Sequence, residues 1–220
     1  MSAVLTVSAL TARRGGRRIL DDVGFTANAG EIVGVIGPNG AGKTTLFECI
    51  ARLLPIDAGS IDASAPLFYM PDSIRPWPDQ TVHWTLQLFA KLYGVEPRVD
   101  DDLDLGALLD QPVRSLSKGE AKRFNIALAL ITPHPILLLD EPFDGLDLRQ
   151  TRRAMDLLRR VAAAGRTLVL SIHQLVDAER VCDRLLLLDR GRSIATGNVG
   201  ELRARANVSG GLEEVFLALT

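Results

Sequence analysis

The feature that most constrains this chain of 220 residues is a glycine-rich segment, Gly37-Pro38-Asn39-Gly40-Ala41-Gly42-Lys43-Thr44. Residues 31–36, just before it, form an apolar run that is typical of a buried strand, and the pattern of residues 42–54 predicts a helix. The sequence therefore predicts a strand, a tight turn and a helix in direct succession. Such a unit indicates an α/β fold.

The glycine-rich segment matches the P-loop pattern, in which two glycines five positions apart are followed by Lys and Thr. A loop that wraps phosphates needs residues without a Cβ atom, and the N-terminus of the next helix adds a fixed positive field. We expect Lys43 to reach the β- and γ-phosphates and Thr44 to bind Mg²⁺. The alternative is an ordinary glycine-rich turn before a helix. The predicted phosphate-binding residues are Gly37, Pro38, Asn39, Gly40, Ala41, Gly42, Lys43, Thr44 and Thr45.

Two adjacent carboxylates, Asp140 and Glu141, end an apolar run at residues 136–139. A buried strand would deliver Asp140 to the mouth of the sheet, where it could hold Mg²⁺ directly or through water. Glu141 would point the other way and accept a proton from the attacking water. An acidic pair that only ends a strand at the surface is the alternative, and the phosphate loop in the same chain favours the catalytic interpretation.

The remaining apolar runs predict the rest of a core sheet. Residues 167–172 and 184–188 are near-continuous in Leu, Ile and Val, which is typical of parallel strands covered by helices on both faces. Residues 147–164 form a predicted helix that ends at Gly165. An antiparallel strand is predicted at residues 193–196.

The middle of the chain has a different pattern. Residues 79–93 and 117–131 are predicted helices, so residues from about 73 to 132 are expected to form a helical insertion outside the sheet. The Pro-rich residues 71–78 would be its hinge. We expect residues 1–220 to form a single domain, because this length buries one sizeable core.

Composition and charge limit the partners and the compartment. The net charge of −2 leaves no basic excess for binding nucleic acid, so none is expected as a partner. No apolar run approaches the roughly 18 residues that span a bilayer, and the N-terminus lacks a signal-peptide pattern, which predicts a cytoplasmic protein. Two lone cysteines, Cys49 and Cys182, are expected to be packing residues.

Residues 116–120, Leu-Ser-Lys-Gly-Glu, resemble the signature sequence of ABC (ATP-binding cassette) ATPases. Together with the phosphate loop, the Asp140-Glu141 pair, Asp147 and His173, they follow that family's order of motifs along essentially the whole chain. The resemblance implies ATP and Mg²⁺ as cofactors. It also implies a P-loop NTPase core in which helices flank a parallel sheet, a small antiparallel β-subdomain and an inserted α-helical subdomain.

The resemblance also implies a site shared between two copies. In the family, two cassettes stack head to tail, and the signature segment of one, here Ser117 and Gly119, caps the γ-phosphate bound by the other. Ser117 opens a helix, so nearby N–H groups would suit an anion, although an ordinary N-cap has the same geometry. His173 is expected to contact the γ-phosphate and to orient water and Glu141, and Asp147 is expected to line the dimer seam.

Three positions depart from the family pattern. Asp72 stands where the family often has Gln; its carboxylate could bind Mg²⁺ but adds negative charge beside the phosphates. Lys118 replaces the commoner glycine, which resembles a branch rich in exporters. Arg14 stands where the family usually places an aromatic residue against adenine. Its guanidinium could stack on the purine, and a solvated surface arginine is the alternative.

As a whole, the chain resembles the ATP-hydrolysing subunit of an ABC transporter. The resemblance implies that two cassettes dimerise on ATP and thereby drive substrate movement through an integral membrane permease, to which they bind at the cytoplasmic face of the membrane. Residues 210–219 resemble the tail of exporters of the drug-resistance type, which favours export. Trp77 and Trp84 would receive a helix of the permease, or would pack in the core. The alternatives are a soluble, non-transport ABC ATPase acting on a macromolecular complex and a P-loop kinase.

Overall fold

The computed structural model describes residues 2–97 and 99–220, which form the following elements. The strands are β1 (Ala3–Arg14), β2 (Arg17–Asn28), β3 (Ile32–Ile36), β4 (Ala58–Ala63), β5 (Leu67–Met70), β6 (Ile136–Asp140), β7 (Thr167–Ile172), β8 (Arg184–Asp189) and β9 (Arg192–Gly197). The helices are α1 (Lys43–Ile50), α2 (Val82–Tyr93), α3 (Lys118–Ile131), α4 (Leu148–Ala163), α5 (Leu175–Val181), α6 (Val199–Ala206) and α7 (Leu212–Leu219). Short 3₁₀ helices lie at Asp101–Leu103, Gly106–Leu108 and Val113–Ser115.

The larger sheet has six strands in the order β5-β6-β7-β3-β8-β9. Its strands pair in parallel except for β9, which runs antiparallel to β8. Every residue of β3, β6 and β7 is buried, as expected for strands covered on both faces. Because Asp140 and Val35 both pair with Ser171, the carboxyl ends of β3, β6 and β7 meet at one edge.

The two faces of the larger sheet carry different layers. One face packs on the helices from α2 to α7, with Leu137 and Leu139 of β6 pointing into that core. The other face, through Ile136 and Leu138, packs on α1 and on a smaller antiparallel sheet of order β2-β1-β4. These layers confirm the predicted fold class, an α/β core with a small antiparallel sheet.

The predicted helices occur, but two have different bounds. Helix α1 ends at Ile50 and not at residue 54, because Arg52 has a φ of 60° and leaves the helical conformation. Helix α2 begins at Val82 and not at residue 79, because the hydroxyl of Thr81 accepts a hydrogen bond from the Trp84 N–H (3.1 Å) and caps the helix there.

The predicted strands of the core sheet are confirmed. The strands β1, β2 and β4 lie outside every apolar run that the sequence pattern identified; all residues of β4 are exposed or only half-buried, so its sequence carries little burial signal. The tail segment at residues 210–219 contains helix α7, Leu212–Leu219. The cysteines Cys49 and Cys182 are buried and free, as expected of packing residues.

Between β5 and β6, the described residues contribute helices to the fold and no strand to either sheet. Two hydrogen bonds join the Pro-rich segment before α2 to later residues of this region. The side chain of Asn125 donates to the Ile74 carbonyl (3.0 Å), and Arg75 donates to the Arg114 carbonyl (2.8 Å). Its role as a hinge and the single-domain organisation stay predictions. None of the described helices has the length and apolar character needed to cross a bilayer.

Candidate functional site

The phosphate loop lies between β3 and α1, at the edge where the parallel strands end. Gly40 and Gly42 have φ angles of 83° and 108°, which residues with side chains rarely adopt. A Cβ atom at Gly37 would lie 2.1 Å from the carbonyl oxygen of Leu188, so this glycine lets the loop pack against the end of β8. The glycines of the motif are therefore required by the backbone path itself.

Lys43 points its ammonium group back into this loop. Its Nζ donates to the carbonyls of Gly37 (2.7 Å) and Pro38 (3.2 Å), and the residue is only 6% exposed. Burial lowers the pKa of Lys43, while the charges of Glu141 and Asp140 oppose this shift. Over residues 2–97 and 99–220, no carboxylate oxygen lies within 4.0 Å of Nζ, so the loop holds a desolvated cation that a phosphate group would pair with.

A cleft of about 380 Å³ opens beside the loop, within the range of small-molecule sites. Its lining includes most of the predicted phosphate-binding residues together with the predicted base. The lining residues are Arg14, Ile19, Asn39, Gly40, Gly42, Lys43, Thr44, Thr45 and Glu141. Of the other predicted loop residues, Pro38 and Ala41 close the turn, since the Ala41 N–H donates to the Pro38 carbonyl (3.1 Å).

The predicted metal ligands Thr44 and Asp140 do meet. The hydroxyl of Thr44 donates to Oδ2 of Asp140 (2.9 Å), and Asp140 is buried. A hydroxyl and a carboxylate are hard oxygen ligands, and Mg²⁺ bound with nucleotides usually takes one or two such groups plus phosphates and water. The residues therefore fit Mg²⁺.

Tyr69 also lies at this pair: burial and the neighbouring Asp140 raise the pKa of Tyr69, whose hydroxyl lies 3.5 Å from Oδ2 of Asp140.

Glu141 and His173 lie together beyond the end of the sheet. Oε2 of Glu141 is 4.0 Å from Nδ1 of His173, and both residues line one small cavity. Glu141 has a φ of 49°, in the left-handed region that a residue with a side chain rarely adopts. This turn takes Glu141 off the line of β6, whereas Asp140 keeps its side chain at Thr44.

Ser171 of β7 contacts both carboxylate residues and was missed by the motif analysis. Its hydroxyl hydrogen-bonds to Oδ1 of Asp140 and accepts the N–H of Glu141 (2.8 Å). The available signal was a serine two residues before His173, in the otherwise apolar run at residues 168–172. That signal is not specific, because a buried serine can also be satisfied by its own backbone.

Among the described residues, no hydrogen bond joins Asp72 to Thr44 or Asp140. Asp72 forms an ion pair with Lys122 of α3, which is 4% exposed and also donates to the backbone carbonyl of Asp140 (3.4 Å). Burial raises the pKa of Asp72, but the hydrogen bond and charge of Lys122 outweigh it, and the net pKa is lowered. Sequence reasoning missed Lys122, because no local pattern predicts a partner 50 positions away.

Arg14 lines the cleft, and its guanidinium pairs with Glu48 of α1. The hydrogen bond and charge of Glu48 raise the pKa of Arg14. About half of the arginine side chain stays exposed. Arg14 thus lies at the cleft as a surface ion pair with Glu48, and its stacking on adenine stays a prediction.

The signature segment, residues 116–120, lies apart from the residues that line this cleft. The Ser117 hydroxyl accepts the Glu120 N–H (3.3 Å), and Glu120 returns a bond to the Ser117 N–H, so α3 begins with a capping box. A Cβ atom at Gly119 would lie 2.6 Å from the Gly145 carbonyl, and Lys118 pairs with Asp144 (2.5 Å). Within one copy, this segment packs on the turn that follows Glu141.

Comparisons with known proteins agree with this geometry. A family model described as ABC transporter matches residues 20–144. An uncharacterized ABC transporter ATP-binding protein of Methanocaldococcus jannaschii is 30% identical over 210 residues, which cover 92% of this chain and 80% of that protein. The Nod factor export ATP-binding protein I of Ralstonia nicotianae is 33% identical over 219 residues, covering 90% and 68%.

Solved structures give the same result. The structure of an ATP binding subunit of an ABC transporter superposes with a TM-score of 0.90 at 28% identity and covers 98% of this chain and 99% of that one. CbiO1 of Clostridium perfringens, part of the ABC transporter complex CbiONQ, has a TM-score of 0.77 at 26% identity, with coverages of 93% and 92%.

Proposed function

Since this chain belongs to the ABC transporter family of ATP-binding proteins, we propose that it is the motor of an exporter and works as a head-to-tail dimer on a membrane permease. Membership makes the chain an ATP-binding ATPase, and ABC ATP-binding subunits work with permease subunits. One observation carries the mechanism: the phosphate loop, the Thr44–Asp140 pair and Glu141 beside His173 converge at one edge of the sheet.

In this mechanism, the loop N–H groups and Lys43 bind the phosphates of ATP, because both present positive charge inside the loop. Thr44 and Asp140 hold Mg²⁺, which supplies charge neutralisation at the phosphate oxygens. Glu141 accepts a proton from the attacking water, and His173 orients Glu141 and the γ-phosphate. Asp72 pairs with Lys122, so this proposal assigns the metal to Thr44 and Asp140.

The test of this mechanism is ATP hydrolysis by the purified chain and by Glu141→Gln. Loss of the base should lower the turnover rate by roughly 10²- to 10⁴-fold and leave ATP affinity nearly unchanged. Asp156→Asn removes an exposed carboxylate of α4 that does not line the phosphate cleft, and it serves as the matched control. Hydrolysis that persists in Glu141→Gln would assign the base to another group.

The position of the signature segment supports the proposed dimer. Ser117 and Gly119 are absent from the described lining of the chain's own cleft, so a second copy would have to bring them to the γ-phosphate. Asp147 caps α4 by accepting the Gln150 N–H (2.8 Å), and the adjoining Leu148 is 89% exposed. In the proposed pair, Asp147 and Leu148 would lie at the seam with the second copy.

Mixing two inactive variants distinguishes a shared site from a site within one chain. Lys43→Met keeps an intact signature segment, and Ser117→Arg keeps an intact phosphate loop. A head-to-tail pair of the two contains one complete site, so mixing them should restore hydrolysis that neither shows alone. A mixture as inactive as its components would contradict the shared site, provided that each variant still dimerises in an equilibrium sedimentation experiment.

Two observations support an exporter's permease as the partner. Several similar proteins are named Nod factor export ATP-binding protein I. On the helical side, Trp77 and Trp84 are both about 40% exposed with ring centroids 6.2 Å apart, and Trp84 lines an open groove. Half-exposed aromatic side chains of this kind anchor many interfaces.

The partner is tested by purifying the tagged chain from membranes in mild detergent. Recovery of a polytopic protein, and its loss with Trp84→Ala while ATP hydrolysis persists, would support the permease. Leu92→Ala, an exposed apolar residue on the same helix, is the control. Recovery with ribosomes or nucleic acid would instead support the soluble, non-transport ATPase.

A further inference from the structure

Ser171 lies near the carboxyl end of β7, between the strands that carry the phosphate loop and the two carboxylates. Its side chain is fully buried at 0% exposure, and it pairs in register with Val35 on one side and Asp140 on the other. Its hydroxyl makes the two contacts described above, with Oδ1 of Asp140 and with the N–H of Glu141. One buried group therefore touches both residues that the mechanism uses.

The direction of both hydrogen bonds follows from the atoms involved. The backbone N–H of Glu141 can only donate, so the serine oxygen accepts it at 2.8 Å. A hydroxyl has one proton, which then goes to Oδ1 of Asp140. Oδ1 of Asp140 is thus hydrogen-bonded to Ser171, and Oδ2 accepts the hydrogen bond of the Thr44 hydroxyl (2.9 Å). Ser171 therefore fixes the orientation of the Asp140 carboxylate, with one oxygen bound to β7 and the other facing Thr44.

The second contact holds an unusual backbone conformation. A non-glycine residue at a φ of 49° is strained and persists only where its surroundings impose it. The N–H of Glu141 is bound by Ser171, and its carbonyl accepts the N–H of Asp144 (3.2 Å). These bonds fix the turn that sends the Glu141 side chain toward His173.

We propose that Ser171 is a positioning residue for ATP hydrolysis: its hydroxyl sets the rotamer of Asp140 and the backbone of Glu141 together. It acts through these two residues and does not touch the reacting atoms. The proposal rests on the proposed function, in which Asp140 holds Mg²⁺ and Glu141 is the base. Displacing a positioned group by about 1 Å can cost on the order of 10²-fold in rate, which sets the scale of the effect.

Thr167, at the other end of the same strand, offers a matched control. It is equally buried at 1% exposure, and its hydroxyl also makes two hydrogen bonds, donating to the Asn28 carbonyl (2.9 Å) and accepting the Gly30 N–H (3.1 Å). It does not line the phosphate cleft. Ser171→Ala and Thr167→Val therefore remove the same kind of interaction, and only the first is made at the site.

The experiment compares the two variants in hydrolysis and in hydrogen exchange. Ser171→Ala should lower kcat by about 10- to 100-fold with a nearly unchanged KM for ATP. The Glu141 amide, followed by NMR without nucleotide, should exchange at least about tenfold faster because its buried acceptor is gone. Thr167→Val should change neither kcat nor the exchange rate of the Glu141 amide, although it should lower the thermal stability about as much as Ser171→Ala does. Ser171→Thr keeps a hydroxyl and should recover part of kcat.

The outcomes separate this proposal from the proposed function. If the wild-type chain hydrolyses ATP and Ser171→Ala has the same kcat, the positioning role of Ser171 is overturned and the proposed function is not. This holds even if the exchange of the Glu141 amide accelerates. An equal loss of kcat in Thr167→Val would also overturn it, because the effect would then be a general one of the fold. A wild-type chain without ATP hydrolysis would instead contradict the proposed function.

Discussion

Two buried lysines at the same edge of the sheet have opposite surroundings. Lys43, in the phosphate loop, is held only by backbone carbonyls, and burial lowers its pKa. Lys122, on α3, is equally buried but pairs with the carboxylate of Asp72. Both cations are desolvated at a cost in free energy, and only one has a negatively charged partner within ion-pair distance among the described residues.

This difference separates a binding group from a structural one. A buried charge that lacks a counterion within its own chain costs stability unless a ligand supplies one, so the environment of Lys43 suits an incoming anion. The Lys122–Asp72 pair instead joins α3 to the segment after β5 and, through the Asp140 carbonyl, to the end of β6. Substitutions at the two lysines should therefore affect different properties.

The largest effect is expected from Lys43→Met, which keeps the aliphatic stem and removes the charge. Hydrogen bonds to charged groups contribute about 1.5–3 kcal/mol each, so ATP affinity should fall by roughly 100-fold. The thermal unfolding temperature without nucleotide should stay the same or rise, because a desolvated charge is lost. Isothermal titration calorimetry and a thermal unfolding curve measure the two quantities. A strong loss of stability would show that Lys43 is mainly structural.

Lys122→Met should produce the opposite result. Asp72 would lose its partner, and since its side chain is 38% exposed and can rehydrate, the free energy of unfolding should fall by about 1–2 kcal/mol. In Lys122→Met, ATP affinity should fall by less than it does in Lys43→Met. Urea unfolding checks the stability, with the double variant Lys122→Met/Asp72→Asn expected to lose less than the sum of the single changes. Additive losses would mean that the ion pair contributes nothing.

Arg14 is a third cation, half-exposed and paired with Glu48. If its guanidinium stacks on adenine, Arg14→Ala should weaken ATP binding by about two- to fivefold, since such contacts contribute about 0.5–1 kcal/mol at exposed sites. Arg14→Tyr, which restores an aromatic ring, should bind ATP as well as the native chain. Calorimetric titration with ATP tests both, and an unchanged affinity in Arg14→Ala would rule out the stacking.

The smallest expected effect is on the pH dependence of stability. Lys122 lowers the pKa of Asp72 below its ordinary value of 3.8, so the folded state binds this proton more weakly than the unfolded state. The contribution of the ion pair is therefore complete above pH 3.8 and is lost as the pH falls through the lower, folded pKa. The difference in unfolding temperature between the native chain and Asp72→Asn should shrink in that range, and a constant difference would contradict it.

Local sequence patterns predicted the buried strands of the core sheet and the phosphate loop between β3 and α1. The runs at β6, β7 and β8 are apolar because both faces of a parallel sheet are covered, so their sequence reports their position. The strands β1 and β2 were not identified this way, because half-buried residues alternate in them and bulges interrupt the register. Helix caps at Thr81 and Ser117 determined where helices begin.

Contacts between distant residues were outside the reach of these patterns. The position of Asp72 suggested a metal ligand, and its partner Lys122 became visible only when α3 packed beside β6. Glu48, which holds Arg14, and Ser171, which joins Asp140 to Glu141, are single polar residues within a helix and a strand. Neither has a spacing that distinguishes it from an ordinary polar residue.

The sequence by itself determined the phosphate loop, the acidic pair and the positions of the buried core strands along the chain, because glycine backbone freedom, helix termini and hydrophobic periodicity are local properties of the chain. Only the tertiary structure decided how the Asp140 carboxylate is oriented between Ser171 and Thr44, that Asp72 pairs with Lys122, and that Ser117 is not among the described residues that line the chain's own cleft. The physical reason is that strand register and helix packing bring together side chains that are far apart in sequence, and charges and hydrogen bonds act over only a few ångströms.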